Sequence, residues 1–436
     1  MRERSILGID LLLVVAVVTL MTIGVLFIYS SGVTADGMSF SREWLRQLVW
    51  IGFGLIIFVA VSSFDYARLR EYAPYIFIAV LLILLGTLLF GRVERGARRW
   101  LGIGDLGVQP SEFAKTITIL LLARFLENRR QSLHTPLTFA AALGIVLLPV
   151  GLILLQPDLG TAIVYIPIFL VMTYTAGARP SYVLFILLSG LVVIVLTVLP
   201  AWETLIHGTE IPAISVLRDQ RLLLIVAAGL TAAGLLALIG LLVIKRSYFR
   251  WVIYGIAVTL TGLGGSVLGR RVLRDYQLMR LIVFLDPNVD PRGAGWHIIQ
   301  SVTAVGSGGI AGKGWLSGTQ SHLQYLPEQS TDFIFSILAE EWGFLGALAV
   351  FACFTIIIVR GLLISAKAKD DFASLVAIGI VTMFFFHSAV NIGMAIGIMP
   401  ITGIPLPFVS YGGSSLWNSL IAVGLLMSIY QRRFRI

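Results

Sequence analysis

The longest polar stretch of the chain, residues 270–332, ends with Tyr325-Leu326-Pro327-Glu328-Gln329-Ser330-Thr331-Asp332. The next residue, Phe333, begins a run of apolar residues that is long enough to cross a membrane. Asp332 therefore stands where a Gly-rich polar segment of 63 residues meets a bilayer. Connections of this length are uncommon in compact proteins and usually serve a function. We expect an external loop that holds the Asp332 carboxylate at the membrane surface.

The composition indicates an all-α polytopic membrane protein. Hydrophobic residues make up 58% of the chain, charged residues only 13%, and the mean hydropathy is +0.93. Soluble domains contain about 25% charged residues, so this composition excludes a soluble protein. The single cysteine, Cys353, lies within an apolar run, which leaves no disulfide framework. We expect no nucleic-acid partner.

Apolar runs close to the ~20 residues that a membrane-spanning helix needs occur twelve times. The first is too long for the core of a signal peptide and shows no small-residue cleavage pattern, so we assign it as a transmembrane helix. Because twelve is an even number, both termini lie on one side of the membrane. The predicted spans are residues 9–30, 47–64, 73–91, 111–127, 136–155, 160–178, 182–200, 222–244, 250–269, 333–359, 372–395 and 412–430.

The distribution of Lys and Arg predicts that both termini are cytoplasmic. In that orientation, 17 of these residues lie inside and 14 outside. Six of the external ones belong to the segment 270–332, whose length exempts it from the rule. Four more are Arg92, Arg95, Arg98 and Arg99, so only four remain in ordinary external loops. The long polar segment is then extracytoplasmic.

The four clustered arginines oppose the positive-inside bias, which indicates that something outside favours positive charge there. For Arg92 and Arg95, a solvated loop or a contact with lipid headgroups is a sufficient explanation. Arg98 and Arg99 stand beside Trp100, and guanidinium groups bind phosphates through paired hydrogen bonds. We expect Arg98 and Arg99 to bind an anionic ligand such as a lipid phosphate.

A polar segment, Gln109-Pro110-Ser111-Glu112-Phe113-Ala114-Lys115, begins the fourth predicted span. Pro110 fits the first turn of a helix, and Ser111 is the expected N-cap. Glu112 and Lys115 are three residues apart, so they share one helical face, with the acid first. Ionisable groups inside a span usually face a cavity or a partner. A structural ion pair and a contact with substrate are equally compatible with this spacing.

Other polar features fall on the same outer side. Asp158, in the short turn before the sixth span, is expected to cap the next helix. Glu340 and Glu341 lie about two turns into the span that begins at Phe333, and at least one should face the protein interior. Residues 400–415 contain too many Pro and Gly residues to continue a helix. Because irregular backbone at membrane depth must be buried in protein or line a wet cavity, we expect them to form the wall of an external pocket.

Several separated motifs along nearly the whole chain occur in the order of a known family. They are Arg98-Arg99-Trp100 with Gln109–Lys115, Gln156–Thr161, Asp286–Pro291, Gly293–Ser301, Gly306–Gly309, Leu326–Glu328 with Thr331-Asp332-Phe333, and Asn391–Ser415. On these motifs the chain resembles the SEDS family (shape, elongation, division and sporulation), which includes the RodA and FtsW proteins. It is more similar to RodA at His297, Gly312-Lys313-Gly314-Trp315-Leu316 and Gly318-Thr319-Gln320-Ser321.

The resemblance implies a fold and a reaction. Family members have a core of ten membrane helices, and they join lipid II units, which are disaccharide-pentapeptides linked to undecaprenyl diphosphate, into glycan strands. The acceptor hydroxyl attacks the anomeric carbon of the donor and the lipid diphosphate leaves, so the reaction needs a base and cations. By its position in the motifs, Asp332 is the expected catalytic base. Arg98, Arg99 and Lys313 are the expected ligands of the diphosphate.

Other motif positions are expected to contact the substrate. A divalent cation, Mg²⁺ or Mn²⁺, is implied by the resemblance as an assistant at the diphosphate, but no metal-ligand spacing in this sequence requires one. The expected substrate contacts are Gln109, Ser111, Glu112, Lys115, Asp158, Thr319, Gln320, Glu328, Thr331, Ser410, Gly412, Gly413 and Ser414.

The sequence departs from the family at two positions near the expected base. Ser330 stands where relatives usually have His, so no imidazole neighbours the expected base in the sequence. Gln324 stands where relatives commonly have Glu, which leaves Asp332 to act with Glu328 or alone.

Two of the twelve predicted spans exceed the ten of the family core. We assign them to an insertion at residues 201–269, whose connecting segment Lys245–Arg250 is basic and therefore cytoplasmic. The membrane core then comprises residues 1–200 and 333–436, and residues 270–332 form the catalytic loop. Because two added crossings restore the original side, this loop stays outside.

Two other functions remain open. A lipid II transporter would also have many spans and a site for an anionic lipid, although transporters tend to place the site at the midplane between internal repeats, and no convincing repeat is found here. The second is a non-catalytic scaffold for partner enzymes. The resemblance implies a bacterial cytoplasmic membrane, a class B penicillin-binding transpeptidase as partner, and other membrane proteins of an elongation complex.

The predicted topology can be tested by cysteine labelling in cells. A reagent that does not cross membranes should modify a cysteine introduced at Ser317, in the external loop, and should not modify one at Ser247, between the two added spans. The reverse pattern would overturn both the orientation and the chemistry, because lipid II is polymerised on the external face.

Overall fold

The structure is a computed structural model, and it describes residues 8–34, 36, 38, 41–94, 97–102, 107–209 and 211–433. In these residues the chain is mainly helical, with one antiparallel hairpin of strands β1 (Arg92–Glu94) and β2 (Ala97–Trp100). The α-helices are α1 (Leu11–Ser31), α2 (Glu43–Ser63), α3 (Tyr66–Phe90), α4 (Pro110–Arg129), α5 (Pro136–Leu155), α6 (Leu159–Thr175), α7 (Pro180–Trp202), α8 (Pro212–Arg218), α9 (Gln220–Val243), α10 (Tyr248–Val272), α11 (Asp275–Leu285), α12 (Ala294–Ser307), α13 (Thr319–His322), α14 (Ile334–Ala366), α15 (Asp371–Ala395) and α16 (Gly413–Arg432).

Each of the twelve predicted spans coincides with one helix. Within the described residues, ten helices are long and apolar enough to cross a membrane: α1, α2, α3, α5, α7 with the π-helical turn Glu203–His207 that follows it, α9, α10, α14, α15 and α16. The two that fall short are α6, which has 17 residues, and α4, which includes five charged residues. Most of α4 is buried, and it packs against α3, α5 and α15. The prediction of an all-α polytopic membrane protein is confirmed.

Side chains at the helix starts explain where several helices begin. Asp10 and Asp370 each accept a hydrogen bond from a backbone N–H in the first turn of α1 and α15. The predicted cap at Asp158 is confirmed, because its Oδ1 accepts a hydrogen bond from the Thr161 N–H at 3.1 Å. Such caps satisfy N–H groups that have no partner within the helix.

The prediction that Ser111 caps α4 is wrong. The N-cap is Gln109, and Pro110 occupies the first helical position, where its missing N–H has no cost. Ser111 therefore lies inside the first turn, and its buried hydroxyl has no hydrogen-bond partner among the described residues.

The chain forms two compact units, Met1–Ala178 with His297–Ile436 and, separately, Arg179–Trp296. The second unit includes the whole predicted insertion 201–269, together with α7 and residues 270–296 of the predicted loop. In this unit, α10 packs along both α7 and α9. The two added spans therefore do not form a hairpin apart from α7.

The predicted loop 270–332 is not irregular throughout. It includes the helices α11 and α12 and the short helix α13. Irregular backbone of the loop falls mainly in residues 308–318 and 323–333. Residues 309–314, which follow α12, lie against α14.

A break in α14 organises the first unit. Gly343 has φ 63° and ψ −157°, a conformation that interrupts the helix and that side chains other than glycine rarely adopt. The backbone groups freed by the break bond to residues 309–314 instead: Lys313 N to Glu340 O at 3.0 Å, Gly314 N to Glu341 O at 3.0 Å, Phe344 N to Gly309 O at 2.9 Å and Leu345 N to Ile310 O at 3.1 Å. The loop thus satisfies backbone groups that would otherwise be orphaned at membrane depth.

The close approach of α7 and α10 in the second unit depends on Gly262. A Cβ at this position would collide with the Val192 side chain of α7, whereas one at Gly264 would meet no atom within 4 Å. Small residues allow membrane helices to pack at short distances.

We expect Gly262→Val to lower the free energy of unfolding by about 1–3 kcal/mol, the usual cost of overpacking a tight contact. Gly264→Val is the matched control, because it introduces the same side chain into the same helix at an open position. Thermal unfolding of the purified protein in detergent measures both. Equal shifts in the two variants would contradict the assigned packing.

Candidate functional site

Four predicted site residues meet where α4, α6 and α16 begin. Gln109 donates from its side chain to Asp158 Oδ2 at 2.9 Å, and its backbone N–H donates to Ser414 Oγ at 2.9 Å. Arg99 Nη1 lies 3.7 Å from Asp158 Oδ1. Asp158 thus caps α6 and also holds the side chains of Arg99 and Gln109. We name these four residues the arginine cluster.

The hairpin of β1 and β2 explains why Arg99 reaches this cluster and Arg98 does not. Successive residues of a strand point to opposite faces. Arg99 is partly buried against Asp158, whereas Arg98 is exposed and donates to Leu89 O at 3.2 Å. Both remain predicted phosphate ligands, but Arg99 alone belongs to the cluster. Arg95 lies outside the described residues.

The irregular segment between α15 and α16, residues 396–412, is packed inside the protein. Ser410 Oγ donates to Thr331 O at 2.6 Å and accepts a hydrogen bond from the Leu406 N–H at 2.9 Å. Tyr411 N donates to Ser330 O at 2.8 Å, and Gly412 N to Gln47 Oε1 at 3.3 Å. The segment 396–412 therefore joins the residues before Asp332 to α2. Gly413 packs beside Trp50, and the next residue, Ser414, is itself a member of the arginine cluster.

Asp332 lies in a hydrogen-bonded turn, two residues before α14. Its backbone N–H donates to Glu328 O at 3.2 Å, and its carbonyl accepts from Asn391 Nδ2 at 2.9 Å. The same amide group of Asn391 donates to Ile404 O at 2.8 Å. Thr331 Oγ1 donates to Glu328 Oε2 at 3.2 Å. The backbone of the expected base is thus fixed on both sides, and Glu328 and Thr331 contact each other beside it.

Lys313 has the contacts of a structural ion pair. Its Nζ lies 2.7 Å from Glu340 Oε1 and donates to Thr319 Oγ1 at 2.7 Å. Glu340 Oε1 also accepts the backbone N–H groups of Thr319 and Gln320, so it caps α13. Glu340 is fully buried, and Lys313 compensates its charge. The predicted role of Lys313 at the diphosphate would require this pair to open.

Glu341 is also fully buried and faces a different set of partners. Ser30 Oγ donates to its Oε1 at 2.5 Å, and Leu316 N donates to its Oε2 at 3.1 Å. His322 Nε2 lies 3.4 Å from Oε1, while the Nδ1–H of His322 donates to Val33 O at 2.7 Å. Both glutamates therefore face the protein interior, which agrees with the prediction that at least one of them would. Both also fix the loop that precedes Asp332.

The predicted pair of Glu112 and Lys115 is present and buried. Lys115 Nζ lies 2.8 Å from Glu112 Oε1 and 3.1 Å from His387 Nε2. The other ring nitrogen of His387 lies 3.3 Å from Pro405 O, which only accepts, so Nδ1 carries the proton and Nε2 accepts from Lys115. Glu112 Oε2 has no partner among the described residues. The pair therefore joins α4 to α15 and to the segment 396–412.

The described residues contain no group of three or more His, Cys, Asp or Glu side chains that could hold a metal ion. These residues thus offer no preformed cluster of side chains for the divalent cation that the resemblance implies. The cation stays a prediction.

Comparison with known proteins decides the family. A family model described as "Cell cycle protein", which covers FtsW, RodA and SpoVE, matches residues 10–219 and 201–434. The chain belongs to the SEDS family. The two matched parts of this SEDS protein overlap at residues 201–219, where the predicted insertion begins.

Two relatives are similar over most of their length. Peptidoglycan glycosyltransferase RodA of Treponema pallidum (strain Nichols) is 47% identical over 433 residues, 99% of this chain and 100% of the relative. Peptidoglycan glycosyltransferase MrdB of Escherichia coli (strain K12) is 36% identical over 388 residues, 89% of this chain and 85% of the relative.

Two solved structures share the fold of this SEDS protein. A chain from a peptidoglycan synthase complex, described for its coordination of polymerization and crosslinking, has a TM-score of 0.66 and 29% identity, with 99% of this chain and 100% of that chain covered. The rod shape determining protein RodA of Thermus thermophilus has a TM-score of 0.60 at 24% identity, with 99% of both chains covered.

Sequence reasoning did not single out several residues that position the site. His387, Gln47 and His322 each contact a predicted site residue or its neighbours. His322 lies in the polar loop and gave no signal. For His387 and Gln47, which lie in predicted spans, the signal was that a polar side chain in a membrane span needs a partner. That rule does not name the partner.

We expect Lys115→Met to lower the free energy of unfolding by about 3–5 kcal/mol, because it leaves the Glu112 charge buried and unpaired. Lys115→Met combined with Glu112→Leu should cost less, since no unpaired charge remains. Arg130→Met is the control, because the Arg130–Asp371 pair is about half exposed and such pairs contribute about 0–1 kcal/mol. Thermal unfolding in detergent measures all three.

The double variant also separates the two interpretations of this pair. If it is stable and still polymerises lipid II, the pair is structural only. If it is stable and inactive, Glu112 or Lys115 also contacts the substrate.

Proposed function

We propose that this chain is a peptidoglycan glycosyltransferase that polymerises lipid II into glycan strands. The observation that carries the proposal is the similarity to the RodA protein of Treponema pallidum over the full length of both chains. The Glu328–Thr331–Asp332 turn and the arginine cluster give that activity a physical basis.

The proposed reaction forms one bond and breaks another. The acceptor hydroxyl oxygen attacks the anomeric carbon of the donor sugar, and the bond from that carbon to the diphosphate oxygen breaks. Asp332 accepts the hydroxyl proton, and the diphosphate leaves on its undecaprenyl chain with the bonding electron pair. A positioned base typically accelerates such a step about 10²–10⁴-fold.

The arginine cluster is proposed to bind the leaving diphosphate. Among the described residues, Arg99 makes one ion pair, the 3.7 Å contact with Asp158, and its buried Nε has no hydrogen-bond partner. Its guanidinium group thus retains donors for phosphate oxygens. The segment 396–412 connects this cluster to the turn of Asp332. The residues proposed to bind the diphosphate and the residue proposed to accept the proton are therefore joined by the same segment.

Ser330 and Gln324 leave Asp332 without the histidine and second glutamate of most relatives. In this structure Asn391 donates to the backbone carbonyl of Asp332, and Thr331 Oγ1 donates to the Glu328 carboxylate in the same turn. We therefore propose a base that is positioned through its backbone and does not need an imidazole beside it.

The partner is proposed to be a class B penicillin-binding transpeptidase. One structurally similar chain comes from a complex that couples polymerization to crosslinking. This chain has no evident nucleophile for peptide crosslinking, so a second protein must supply it. We further propose a bacterial cytoplasmic membrane, cytoplasmic termini, an external Asp332 and a role in elongation.

We expect Asp332→Ala to reduce glycan polymerisation by the purified protein about 10²–10⁴-fold while folding and lipid II binding are retained, because the base acts in the transition state. Asp275→Ala is the matched control, an exposed carboxylate of the same polar segment. Gel analysis of glycan chains made from lipid II, with no other polymerase present, measures the rate. An Asp332→Ala variant with near wild-type speed would remove Asp332 from the base role.

The same assay tests the rival functions. A transporter or scaffold makes no glycan chains from lipid II in detergent, where no membrane separates two compartments. Absence of product from the wild-type chain with its transpeptidase partner would therefore refute the proposed polymerase.

A further inference from the structure

A polar cavity of about 360 Å³ lies beside the turn of Asp332. The end of α1, the start of α2 and the residues 324–330 form its walls. The lining residues are Ser31, Ser41, Glu43, Gln324, Leu326, Pro327, Glu328, Gln329 and Ser330. The residues of the arginine cluster are not among them.

The charge of the lining excludes a phosphate. Glu43 and Glu328 contribute two carboxylates, and no Lys, Arg or His is found among the described residues of the lining. An anionic group there would be repelled by the two carboxylates and would meet no described cationic partner. The cavity therefore differs in kind from the arginine cluster and suits a ligand that is rich in hydrogen-bond donors and carries no negative charge.

An unused acceptor strengthens this inference. Gln329 Nε2 donates to Ser321 O at 3.1 Å, which fixes the orientation of the amide group. Its Oε1 is buried and has no hydrogen-bond partner among the described residues. Buried polar atoms are normally paired, so Gln329 offers an acceptor at the cavity wall for which the described residues supply no donor.

Two lining residues have an unfavourable backbone conformation. Gln324 has φ 58° and Glu328 has φ 54°, a region that residues other than glycine rarely occupy. Such strain persists only where the surrounding structure imposes it, and it is concentrated at binding sites. Both residues lie on the same cavity wall, and both carry a side-chain acceptor.

We propose that this cavity binds an uncharged sugar ring of the acceptor lipid, a proposal that rests on the proposed polymerase function. Hydroxyl and acetamido N–H groups supply donors for Glu43, Glu328 and Gln329. Leu326 and Pro327 provide an apolar wall for the C–H face of a ring.

The size and position of the cavity agree with this ligand. Its volume is near the lower end of the about 300–1,000 Å³ of small-molecule sites, which fits one sugar rather than a whole disaccharide-pentapeptide. The Asp332 N–H bonds to the carbonyl of Glu328, a residue of the cavity wall. Because the cavity and the expected base share this turn, the sugar proposed for the cavity is assigned to the acceptor.

Equilibrium binding to the full chain in nanodiscs tests the proposal. The chain carries Asp332→Asn, so that lipid II binds without reacting. The probes are lipid II, the same lipid-linked disaccharide without its peptide, and undecaprenyl diphosphate. We expect Glu43→Gln and Gln329→Ala each to weaken binding of the two sugar-bearing probes about tenfold, the effect of losing a hydrogen bond in a buried site.

Undecaprenyl diphosphate provides the internal control. It has no sugar, so its affinity should be unchanged in both variants, which also shows that they are folded. Asp36→Asn is the matched substitution, because Asp36 is an exposed carboxylate in the same α1–α2 connection and does not line the cavity. Its affinity for every probe should equal that of the parent chain.

Three results would overturn the sugar site. They are unchanged affinity for both sugar-bearing probes, an equal loss for undecaprenyl diphosphate, and a loss for lipid II that disappears when the peptide is absent. The last result would assign the cavity to a peptide cation.

The binding test needs no turnover, so its outcome is separate from that of the polymerisation assay. A sugar-dependent loss in a chain that makes no glycan would support the sugar site and refute the polymerase. If the wild type polymerises lipid II and both cavity variants bind the probes as the parent chain does, the polymerase is supported and the sugar site is refuted.

Discussion

The exchange of backbone hydrogen bonds at the break in α14 is the constraint on which the region around Asp332 depends. A helix interrupted at membrane depth leaves N–H and C=O groups that lipid cannot satisfy, so residues 309–314 must lie against Gly343. This places Lys313 on Glu340 and Leu316 on Glu341, and Glu340 in turn fixes the start of α13. The polar segment is therefore anchored at depth before it returns to the turn of the expected base.

Features with local physical causes could be predicted from the sequence. The bilayer sets the length of apolar runs, so all twelve predicted spans match helices, although their ends differ by several residues. Helical geometry places Glu112 beside Lys115 three residues later, and an Asp before a helix accepts a first-turn N–H, as Asp158 does. The cap of α4 was missed because a favourable residue type at Ser111 competed with a better-placed proline one residue earlier.

Contacts between residues distant in sequence could not be predicted. Spacing shows that Lys115 needs a partner, but it does not reveal His387, which is 272 residues away. Likewise, irregular backbone at residues 400–415 had to be buried, yet only the folded chain shows that Ser410 bonds to the carbonyl of Thr331. The helices within residues 270–332 were also missed, because the polar composition of that segment resembles a loop. The π-helical turn after α7 was missed as well. Tertiary packing determined these features.

The amide group of Asn391 has a mechanical consequence. One nitrogen on α15 holds the carbonyls of both Asp332 and Ile404, so the turn of the expected base and the irregular segment 396–412 are attached to the same helix. Helices in a bilayer tilt and shift as lipids fluctuate and as local thickness changes. Because both elements are bonded to α15, we expect such movements to displace them together. The spacing of the two carbonyls is then kept while the membrane around them fluctuates.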